Sequence, residues 1–443
     1  MLGEYRIEGR RAAEIAASVE RAVGSGDLEP GQPLPPMREL AAELGVNPNT
    51  VASAYRTLRE RGVIETAGRR GSRVRSAPAT TGRDSVRVDV PEGVRDMSSG
   101  NPDPELLPSL APAFAAAAAL ADREPVLYGE VAVEPELARI ARAALDADAV
   151  PDGPLAVLSG SLDGVERVLA AHLRPGDTVA VEDPGWGSTL DLVPALGLRT
   201  APVGVDDKGP RADDVRRALA DGARALIVTA RAQNPTGAAV SATRARALRA
   251  VLREYSETLL IEDDHGHGIV DLPLHPLAGA TRHWAFLRSV AKAYGPDLRL
   301  AVLTGDRTTV DRVRGRQRLG PGWVSRLLQR AVVRLWADGA LDTHAVATAY
   351  RRRRDLLTGA LADRGIAAHG RSGLNVWVPV PDETGVVASL LHAGWAVAPG
   401  ARYRLAAPPG IRITVSTLRD EETERLADAV ATALRPAPAR SYV

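Results

Sequence analysis

One lysine carries the clearest chemical signal in this sequence. The chain has 56 lysine and arginine residues, and only two of them, Lys208 and Lys292, are lysines. Lys208 lies in the polar turn VDDKGP, where a solvated charge is ordinary. Lys292 lies in SVAKAYG, among small and apolar residues. Because an amine can lose its proton and a guanidinium cannot, Lys292 is a candidate nucleophile that arginine could not replace.

Groups suited to one planar, anionic ligand follow other apolar runs in the second half of the chain. After LAVLSG a helical pattern opens at Ser161 and Leu162, and backbone N–H groups at a helix start bind anions. Trp186 follows TVAVEDPG and could stack on a ring, although packing explains such a tryptophan equally well. Asn234 follows ALIVTARAQ, and Asp263 follows LLIE. Each signal is weak alone, and together they indicate one ligand.

Taken together, these residue types predict a site for pyridoxal 5′-phosphate. In such a site an amine forms a Schiff base with the cofactor, and a carboxylate keeps the pyridinium nitrogen protonated. We assign these functions to Lys292 and Asp263. The other expected contacts are ring stacking by Trp186, a hydrogen bond from Asn234 to the phenolic oxygen, and phosphate binding by Ser289, Arg299 and the backbone amides of Ser161 and Leu162. This set of partners explains Lys292 better than a solvated surface position does.

The elements that carry these groups predict a mainly parallel sheet. From about residue 97, helical patterns such as DGVERVLAAHL alternate with apolar runs, namely LAVLS, TVAVED, ALIVTA, LLIED and LAVLTG. This alternation is typical of α/β domains. Because ligands bind at the carboxyl ends of the strands in such sheets, the groups above should lie at one edge.

Residues 1 to about 76 have a different pattern, which is typical of a winged helix-turn-helix. EIAASVERAVGSG and MRELAAELG are short helical patterns that end at glycines. In the next pattern, VNPNTVASAYRTLRERG, Asn47 suits the N-cap and Pro48 suits the first helical position. VIETAGRRGSRVRS then alternates as two short strands around a Gly/Arg tip, which predicts a wing.

The local charge of this region favours DNA as its partner. The whole chain has a net charge of +1, so a nucleic-acid site must be a local patch. Between residues 47 and 75 there are seven arginines and two glutamates, which leaves an excess of five positive charges. Phosphate contacts require basic side chains concentrated in this way. The alternative, a small helical domain with solvated arginines, does not explain the basic wing.

Residues 27–74, from DLEPGQPLPPMREL through the wing, resemble the winged helix-turn-helix of the GntR family. The resemblance implies that the following residues face double-stranded DNA, the last four at a wing tip that enters the minor groove: Arg38, Asn49, Thr50, Arg56, Arg69, Arg70, Gly71 and Arg73. Pro36 and Met37 depart from the family, which usually has a small hydroxyl residue before the arginine. This departure affects one expected phosphate contact and not the domain.

From about residue 97 to 435 the chain resembles a fold-type I aminotransferase. The matching motifs are YGE (128–130), SGS (159–161), EDPGW (182–186), NPTG (234–237), EDD (262–264), SVAK…LRL (289–300) and IRI (411–413). A winged helix followed by such a domain is the architecture of the MocR subfamily of GntR regulators. The resemblance implies that Arg412 binds the carboxylate of an amino-acid ligand. It also implies a homodimer with swapped DNA-binding domains, in which Tyr128 reaches the phosphate of the partner subunit's cofactor.

One residue of the expected cofactor site departs from the family. Two positions after the aspartate the family usually has a tyrosine that bonds the phenolic oxygen, and this chain has His265. An imidazole can donate one hydrogen bond there, but it titrates near neutral pH. We therefore include His265 in the cofactor site and expect it to affect transamination more than cofactor binding. His267 receives no function, and a surface or packing position is expected for it.

Composition and length bound the remaining possibilities. At 443 residues the chain should form more than one domain, and we place a DNA-binding domain at 1–76, a linker at 77–96 and an effector domain at 97–443. The chain has no cysteine, which excludes disulfides and thiolate chemistry. The pattern contains neither a signal peptide nor a membrane-spanning run, so we expect a cytoplasmic protein with no membrane partner and no metal site.

These features predict a multidomain α/β protein, in which an N-terminal winged helix-turn-helix precedes a fold-type I aminotransferase-like domain with a mainly parallel central sheet. We expect a transcriptional regulator that senses pyridoxal phosphate, or an amino-acid-type ligand, through an aldimine at Lys292. The alternative is an aminotransferase with a residual DNA-binding domain, since Lys292 and Arg412 are both present. A third possibility is a cofactor-binding scaffold without turnover. The basic helix and wing favour the regulator, because an enzyme has no need of them.

Overall fold

The computed structural model describes residues 6–25, 27–29, 31–60, 63–66, 71–74, 83 and 88–435. The chain divides into two compact units. The first is the N-terminal part up to residue 85 with two short later segments, 174–177 and 188–200, and the second contains the other residues from 86 onward. Half of the predicted linker, 77–96, lies outside the described residues, so the predicted domain bounds stay predictions.

The described part of the N-terminal unit consists of helices followed by a short antiparallel pair of strands. Its elements are α1 (Ala12–Ser25), α2 (Met37–Leu44), α3 (Pro48–Glu60), β1 (Ile64–Thr66) and β2 (Ser72–Val74). β1 and β2 pair antiparallel, with Ile64 opposite Val74. Ile15, Leu40 and Leu58, one from each helix, share an apolar core with these two strand residues. The predicted winged helix-turn-helix is confirmed.

Local sequence explains the turn between α2 and α3. Gly45 follows the last residue of α2 with a φ of 63°, a left-handed conformation that glycine adopts at little cost. The Asn47 side chain accepts a hydrogen bond from the backbone N–H of Asn49 at 2.9 Å. Pro48 occupies the first position of α3, where no backbone N–H is needed. The turn therefore has the caps that the sequence predicts.

A central sheet forms the core of the second unit. The strands after β2 are β3 (Arg95–Met97), β4 (Leu155–Leu158), β5 (Thr178–Asp183), β6 (Arg199–Asp206), β7 (Gly209–Pro210), β8 (Ala225–Thr229), β9 (Leu259–Asp264), β10 (His283–Ser289), β11 (Ala301–Gly305), β12 (Asn375–Pro379), β13 (Trp395–Pro399) and β14 (Gly410–Thr414). Within the described chain the central sheet has the order β4-β11-β10-β9-β8-β5-β6-β7. β5, β8, β9 and β10 run parallel, so their carboxyl ends meet at one edge.

Helices alternate with the strands along the chain, and a smaller sheet accompanies the central one. The helices are α4 (Ala111–Arg123), α5 (Pro135–Ala147), α6 (Ser161–His172), α7 (Gly187–Ala195), α8 (Ala212–Ala220), α9 (Ala242–Glu254), α10 (Ala291–Tyr294), α11 (Arg307–Arg318), α12 (Arg326–Ala337), α13 (Thr343–Asp363), α14 (Glu383–His392) and α15 (Thr423–Leu434). Leu226 and Leu260 of the sheet pack with Leu248 of α9, and Val302 packs with Val332 of α12 in a separate core. The smaller sheet has the order β12-β14-β13-β3.

The predicted α/β architecture with a mainly parallel sheet is confirmed, with one difference in strand direction. β11 corresponds to the predicted run LAVLTG, and it lies antiparallel between β10 and β4. An apolar run shows that a strand is buried and carries no information on its direction, which explains the difference. Among the helices of the described residues, none has the length and apolar character needed to cross a membrane.

Candidate functional site

A cavity of about 170 Å³ lies in the second unit beside the carboxyl ends of the parallel strands. It brings together nine of the residues that the sequence predicts for the cofactor: Ser161, Leu162, Trp186, Asn234, Asp263, His265, Ser289, Lys292 and Arg299. We call it the first cavity. Two other predicted residues, Tyr128 and Arg412, are not among those that line it.

Lys292 lies on α10, the short helix that follows β10. Its Nζ donates a hydrogen bond to the carbonyl oxygen of Gly100 at 2.8 Å. Burial, and after it the positive charge of Arg412, lowers the pKa of the Lys292 amine to about 8. A substantial fraction of the amine is therefore unprotonated just above neutral pH, as a nucleophilic amine requires.

Asp263 is the acidic group of the first cavity. It lies near the end of β9 and is buried. One carboxylate oxygen, Oδ2, lies 2.7 Å from Nδ1 of His265. The other, Oδ1, is buried and has no hydrogen-bond partner among the described residues. A buried, unpaired carboxylate oxygen is costly, so its presence in a cavity wall fits a ligand that supplies an N–H, as a protonated pyridine nitrogen does.

His265 has different contacts from those expected of it. Its Nδ1 faces Asp263, and its Nε2 lies 2.9 Å from the carbonyl oxygen of Ala232. Burial alone would lower the pKa of His265, but the adjacent Asp263 carboxylate outweighs burial and raises it. In the protonated form both ring nitrogens donate, one to each partner. A bond to the phenolic oxygen of the cofactor would require one of these contacts to break, so His265 supports Asp263 in this structure.

Another part of the first cavity suits an anion. α6 begins at Ser161, whose hydroxyl is buried and has no partner among the described residues. Gly160, before it, has a φ of 98°, and a Cβ there would come within 2.8 Å of the Arg299 guanidinium. Arg299 itself has a φ of 41° and donates to the carbonyl oxygen of Ser159 at 3.2 Å. A helix start, a free hydroxyl and a guanidinium therefore converge as a phosphate requires.

Arg412 is buried on β14 and contacts Asn234, which lines the first cavity. It donates to Oδ1 of Asn234 at 3.2 Å and also to the carbonyl oxygen of Ser98. Its guanidinium carbon lies 4.8 Å from the centre of the Tyr403 ring. A Cβ on Gly100 would lie 3.0 Å from the guanidinium, so the side chain adjoins the residue that Lys292 contacts. Arg412, which the sequence predicts to bind a ligand carboxylate, thus lies close to the cavity. Two of its guanidinium nitrogens donate to protein partners, and its buried Nε has none among the described residues.

The two predicted aromatic contacts differ in their positions. Trp186 lines the cavity, after a cis peptide bond between Asp183 and Pro184. Tyr128 is 93% exposed and packs edge-on against Trp323, with ring centres 5.7 Å apart. Tyr128 is therefore not part of its own chain's cavity, and its predicted contact with a partner subunit stays a prediction.

The predicted DNA-binding residues lie mainly on the surface of the N-terminal unit. Arg38, Asn49 and Arg56 are exposed, and Thr50 is partly buried. Exposed Gly71 has a φ of 81°. Arg73 is different, because its guanidinium lies 2.6 Å from the Glu65 carboxylate on the neighbouring strand. Arg69 and Arg70 lie outside the described residues.

Several residues of the first cavity were missed by the sequence reasoning. Gly100, Asn101 and Asn375 line it, and Leu374 and Ile269 supply apolar wall. Gly100 and Asn101 come from an irregular segment after β3, and Asn375 begins β12, far along the chain from the motif residues. No spacing rule links these positions to Lys292, because only the tertiary fold brings them together.

Two sequence families match this chain. The aminotransferase class I and II family matches residues 92–430, and the gntR family of bacterial regulatory proteins matches residues 11–74. The vitamin B6 salvage pathway transcriptional repressor PtsJ of Salmonella typhimurium is 41% identical over 427 residues, which cover 95% of this chain and 98% of that protein. The chain belongs to the MocR subfamily of GntR-type regulators.

Further similarities of this MocR-type chain are to a regulator and to an enzyme. The HTH-type pyridoxine biosynthesis transcriptional regulator PdxR of Corynebacterium glutamicum is 30% identical, over 79% of this chain and 78% of that protein. The structure of kynurenine aminotransferase from Pyrococcus horikoshii matches with a TM-score of 0.70 and 19% identity, over 78% of this chain and 92% of that chain. At that identity the likeness establishes the fold alone.

Proposed function

We propose that this chain is a DNA-binding transcriptional regulator that senses pyridoxal 5′-phosphate, or an amino-acid-type ligand, at Lys292. The observation that carries the proposal is the first cavity, where a buried lysine amine and an unpaired oxygen of Asp263 occur in a chain that also has a winged helix. The relatives support it, since one is named a repressor of vitamin B6 salvage and another a regulator of pyridoxine biosynthesis.

Eight residues of the first cavity have a proposed part in holding the cofactor. Pyridoxal phosphate supplies an aldehyde that links to an amine and a ring that withdraws electrons. Lys292 provides the amine, and Oδ1 of Asp263 accepts the hydrogen of the ring nitrogen. Trp186 covers the ring face, while Asn234 faces the ring substituents. The phosphate is held by Ser161, Ser289, Arg299 and the amides of Ser161 and Leu162.

A ligand changes DNA binding only if it has different affinities for two states of the protein. Arg412 offers such a difference for an amino-acid ligand. Its guanidinium donates to Asn234 and Ser98 in this structure, and a ligand carboxylate would compete for it. The segments that carry Asn234 and Ser98 would then lose an internal contact, which couples carboxylate binding to the surrounding structure.

We further propose a homodimer, with swapped DNA-binding domains, that acts in the cytoplasm. Leu127, Tyr128 and Val131 are 66%, 93% and 64% exposed in one short segment. Neighbouring exposed apolar side chains are typical of a surface that another molecule covers. A two-fold dimer would cover this segment twice, and would match a palindromic DNA site.

The test combines cofactor absorption with DNA binding. Fragments that bind the protein would first be selected from sheared genomic DNA, and their affinity would then be measured with and without pyridoxal phosphate. We expect a visible absorption band that grows to one cofactor per chain, together with a change in DNA affinity of at least about tenfold, the size of an ordinary allosteric coupling. An affinity that is the same with and without the cofactor would contradict sensing, and failure to select any fragment would contradict DNA binding.

A further inference from the structure

A second cavity lies in the same unit as the first. Its volume is about 550 Å³, against about 170 Å³ for the first cavity. The two cavities share one segment of chain as a wall. His265 and Ile269 line the first cavity, while His267, Gly268 and Val270 line the second. The segment 265–270 therefore separates two spaces, each large enough for a small molecule.

One part of the wall of the second cavity is apolar and aromatic. Tyr294 and Trp336 lie in it with the aliphatic side chains of Ile140, Val270 and Leu341. Tyr294 is almost fully buried, and no described residue forms a hydrogen bond with its hydroxyl group. A planar apolar ligand would find stacking surfaces here, and the hydroxyl would give it a hydrogen-bonding partner.

His267 adds a polar group that the protein itself does not use. Burial, and after it the charge of Arg288, lowers the pKa of His267 to about 4, so its imidazole is neutral at physiological pH. Its ring has no hydrogen-bond partner in the described part of the chain. A neutral imidazole has one donor and one acceptor, and a ligand with hydroxyl or amino groups would satisfy both.

The charges around the second cavity argue against an anionic ligand. Arg231 is the one arginine among the described residues that line this cavity, and its guanidinium is bound by Asp264 at 2.8 Å and by the carbonyl oxygen of Leu272. Two carboxylates also line the wall, and each is paired with an arginine: Asp148 with Arg288 and Asp271 with Arg351. Among the described lining residues there is no lysine and no unpaired arginine. A phosphate placed here would be desolvated without a counter-charge.

We propose that the second cavity binds a small, hydroxylated or aminated aromatic molecule that is neutral and carries no phosphate. The site would therefore take a different class of ligand from the first cavity, which is built to hold a phosphate. The proposal goes beyond cofactor sensing, because the chain would respond to two ligands that differ in phosphorylation.

α10 and the segment 265–270 connect the two cavities structurally. Tyr294 of the second cavity and Lys292 of the first lie two positions apart on α10. Gly268 packs so closely against this helix that a Cβ on it would lie 2.7 Å from Cβ of Ala293. A ligand that displaces Gly268 or Tyr294 must therefore shift α10 or the 265–270 segment, which hold Lys292 and His265. Occupation of either cavity is expected to change the affinity of the other, by the same factor in both directions.

The test uses the full-length protein loaded with pyridoxal phosphate, and pyridoxine as the probe. Pyridoxine is a hydroxylated pyridine without phosphate or aldehyde, so it matches the proposed class and cannot link to Lys292. Calorimetric titration at pH 8 should show one site per chain, while the visible absorption reports separately that the first cavity stays loaded. Pyridoxine 5′-phosphate should not bind the loaded protein, because the second cavity offers its phosphate no free cation.

Two variants locate the site, each against a control. Ala144→Phe places a ring in the second cavity, and Ala143→Phe places the same ring on the exposed face of the same helix, α5. We expect Ala144→Phe to weaken pyridoxine binding about tenfold or more, and Ala143→Phe to leave it unchanged. His267→Leu keeps the bulk and removes the hydrogen bonds, so it should also weaken binding.

Three results would overturn the proposal. The first is no binding of pyridoxine to the loaded protein. The second is binding that both Ala144→Phe and His267→Leu leave unchanged while they retain the melting temperature of the parent. The third is binding that appears only when the first cavity is empty, which would place pyridoxine there. If the visible band never forms, the cofactor proposal fails instead, and the two failures are thereby distinguished.

Discussion

The two units of this protein use charged side chains in opposite ways. On the N-terminal unit, Arg38 and Arg56 are exposed, and no described residue forms an ion pair with them. In the second unit, Arg231 and Arg288 are buried, and both guanidinium groups bind the buried carboxylate of Asp264. Those charges hold Asp264 ionised, and they keep its pKa well below its usual range although burial alone would raise it.

This contrast separates charges that act on a partner from charges that fix the fold. An exposed, unpaired arginine contributes little to stability and is available to phosphate groups of DNA. A buried pair is costly to assemble and more costly to break, because breaking it leaves one charge unpaired. Two buried groups of the second unit do not follow this rule of pairing, and they indicate where a ligand binds. The buried Lys292 amine has a carbonyl partner but no charged one, and the buried Oδ1 of Asp263 has no partner among the described residues. Both groups belong to the first cavity.

The largest effect is expected when the buried amine of Lys292 is removed. Lys292→Ala should abolish the visible absorption of protein mixed with pyridoxal phosphate, because the covalent attachment needs the amine. The chain contains one other lysine, so Lys208→Ala is a matched control that should keep the full band. Borohydride reduction followed by peptide mass spectrometry would identify the modified residue. A reducible adduct that persists in Lys292→Ala would show that the assignment is wrong.

The next effect concerns a charge that fixes the fold. Arg288 is 2% exposed and binds both Asp264 and Asp148, so Arg288→Met should lower the free energy of unfolding by about 3–5 kcal/mol. Arg334 forms an exposed pair with Asp338 on the surface of α12, and Arg334→Met should change that energy by less than about 0.5 kcal/mol. Denaturant unfolding of the three proteins measures the difference. Equal effects of the two substitutions would remove the distinction between the two kinds of arginine.

Sequence alone predicts most of the first cavity, and the reason is topological. Trp186 and Asn234 follow parallel strands and Asp263 lies near the end of one, and parallel strands bring their carboxyl ends to one edge. Long-range neighbours such as Asn375 and Gly100 cannot be predicted in this way, because they reach the cavity from segments outside the strand–helix alternation. The partners of His265 could not be predicted either, since its residue type allows several contacts and only packing selects Asp263 and Ala232.

The second cavity could be predicted from the sequence even less than the first. Its members come from α5, the 265–270 segment, α10, α12 and α13, and they share neither a motif nor a period. His267 was expected at the surface or in packing, yet it lines a cavity with its ring unpartnered among the described residues. A space between packed elements depends on side-chain volumes from several parts of the chain, and no local pattern encodes it.

A smaller effect is expected when an exposed arginine of the N-terminal unit is removed. Arg56→Ala on α3 should leave unfolding almost unchanged, weaken DNA binding and lower the dependence of log affinity on log salt concentration by about one unit. The cause is the loss of one phosphate contact and of the counterion that it releases. Arg253→Ala, which removes an exposed arginine from α9, is the control and should leave the slope unaltered. A slope that Arg56→Ala leaves intact would mean that this arginine does not touch phosphate.

The smallest effect is a shift in the pH dependence of cofactor attachment. It tests how the buried charge of Arg412 changes the pKa of Lys292. The rate at which pyridoxal phosphate attaches should rise with pH and level off above about 8, because the Lys292 amine must be unprotonated and its pKa is about 8. Arg412 lowers that pKa through its positive charge, so Arg412→Gln should move the midpoint to higher pH. Arg364→Gln removes an arginine from surface pairs with Glu424 and Asp428, and should not move it. Because burial is the larger cause, a midpoint that stays near 8 in Arg412→Gln would assign the lowered pKa to desolvation alone.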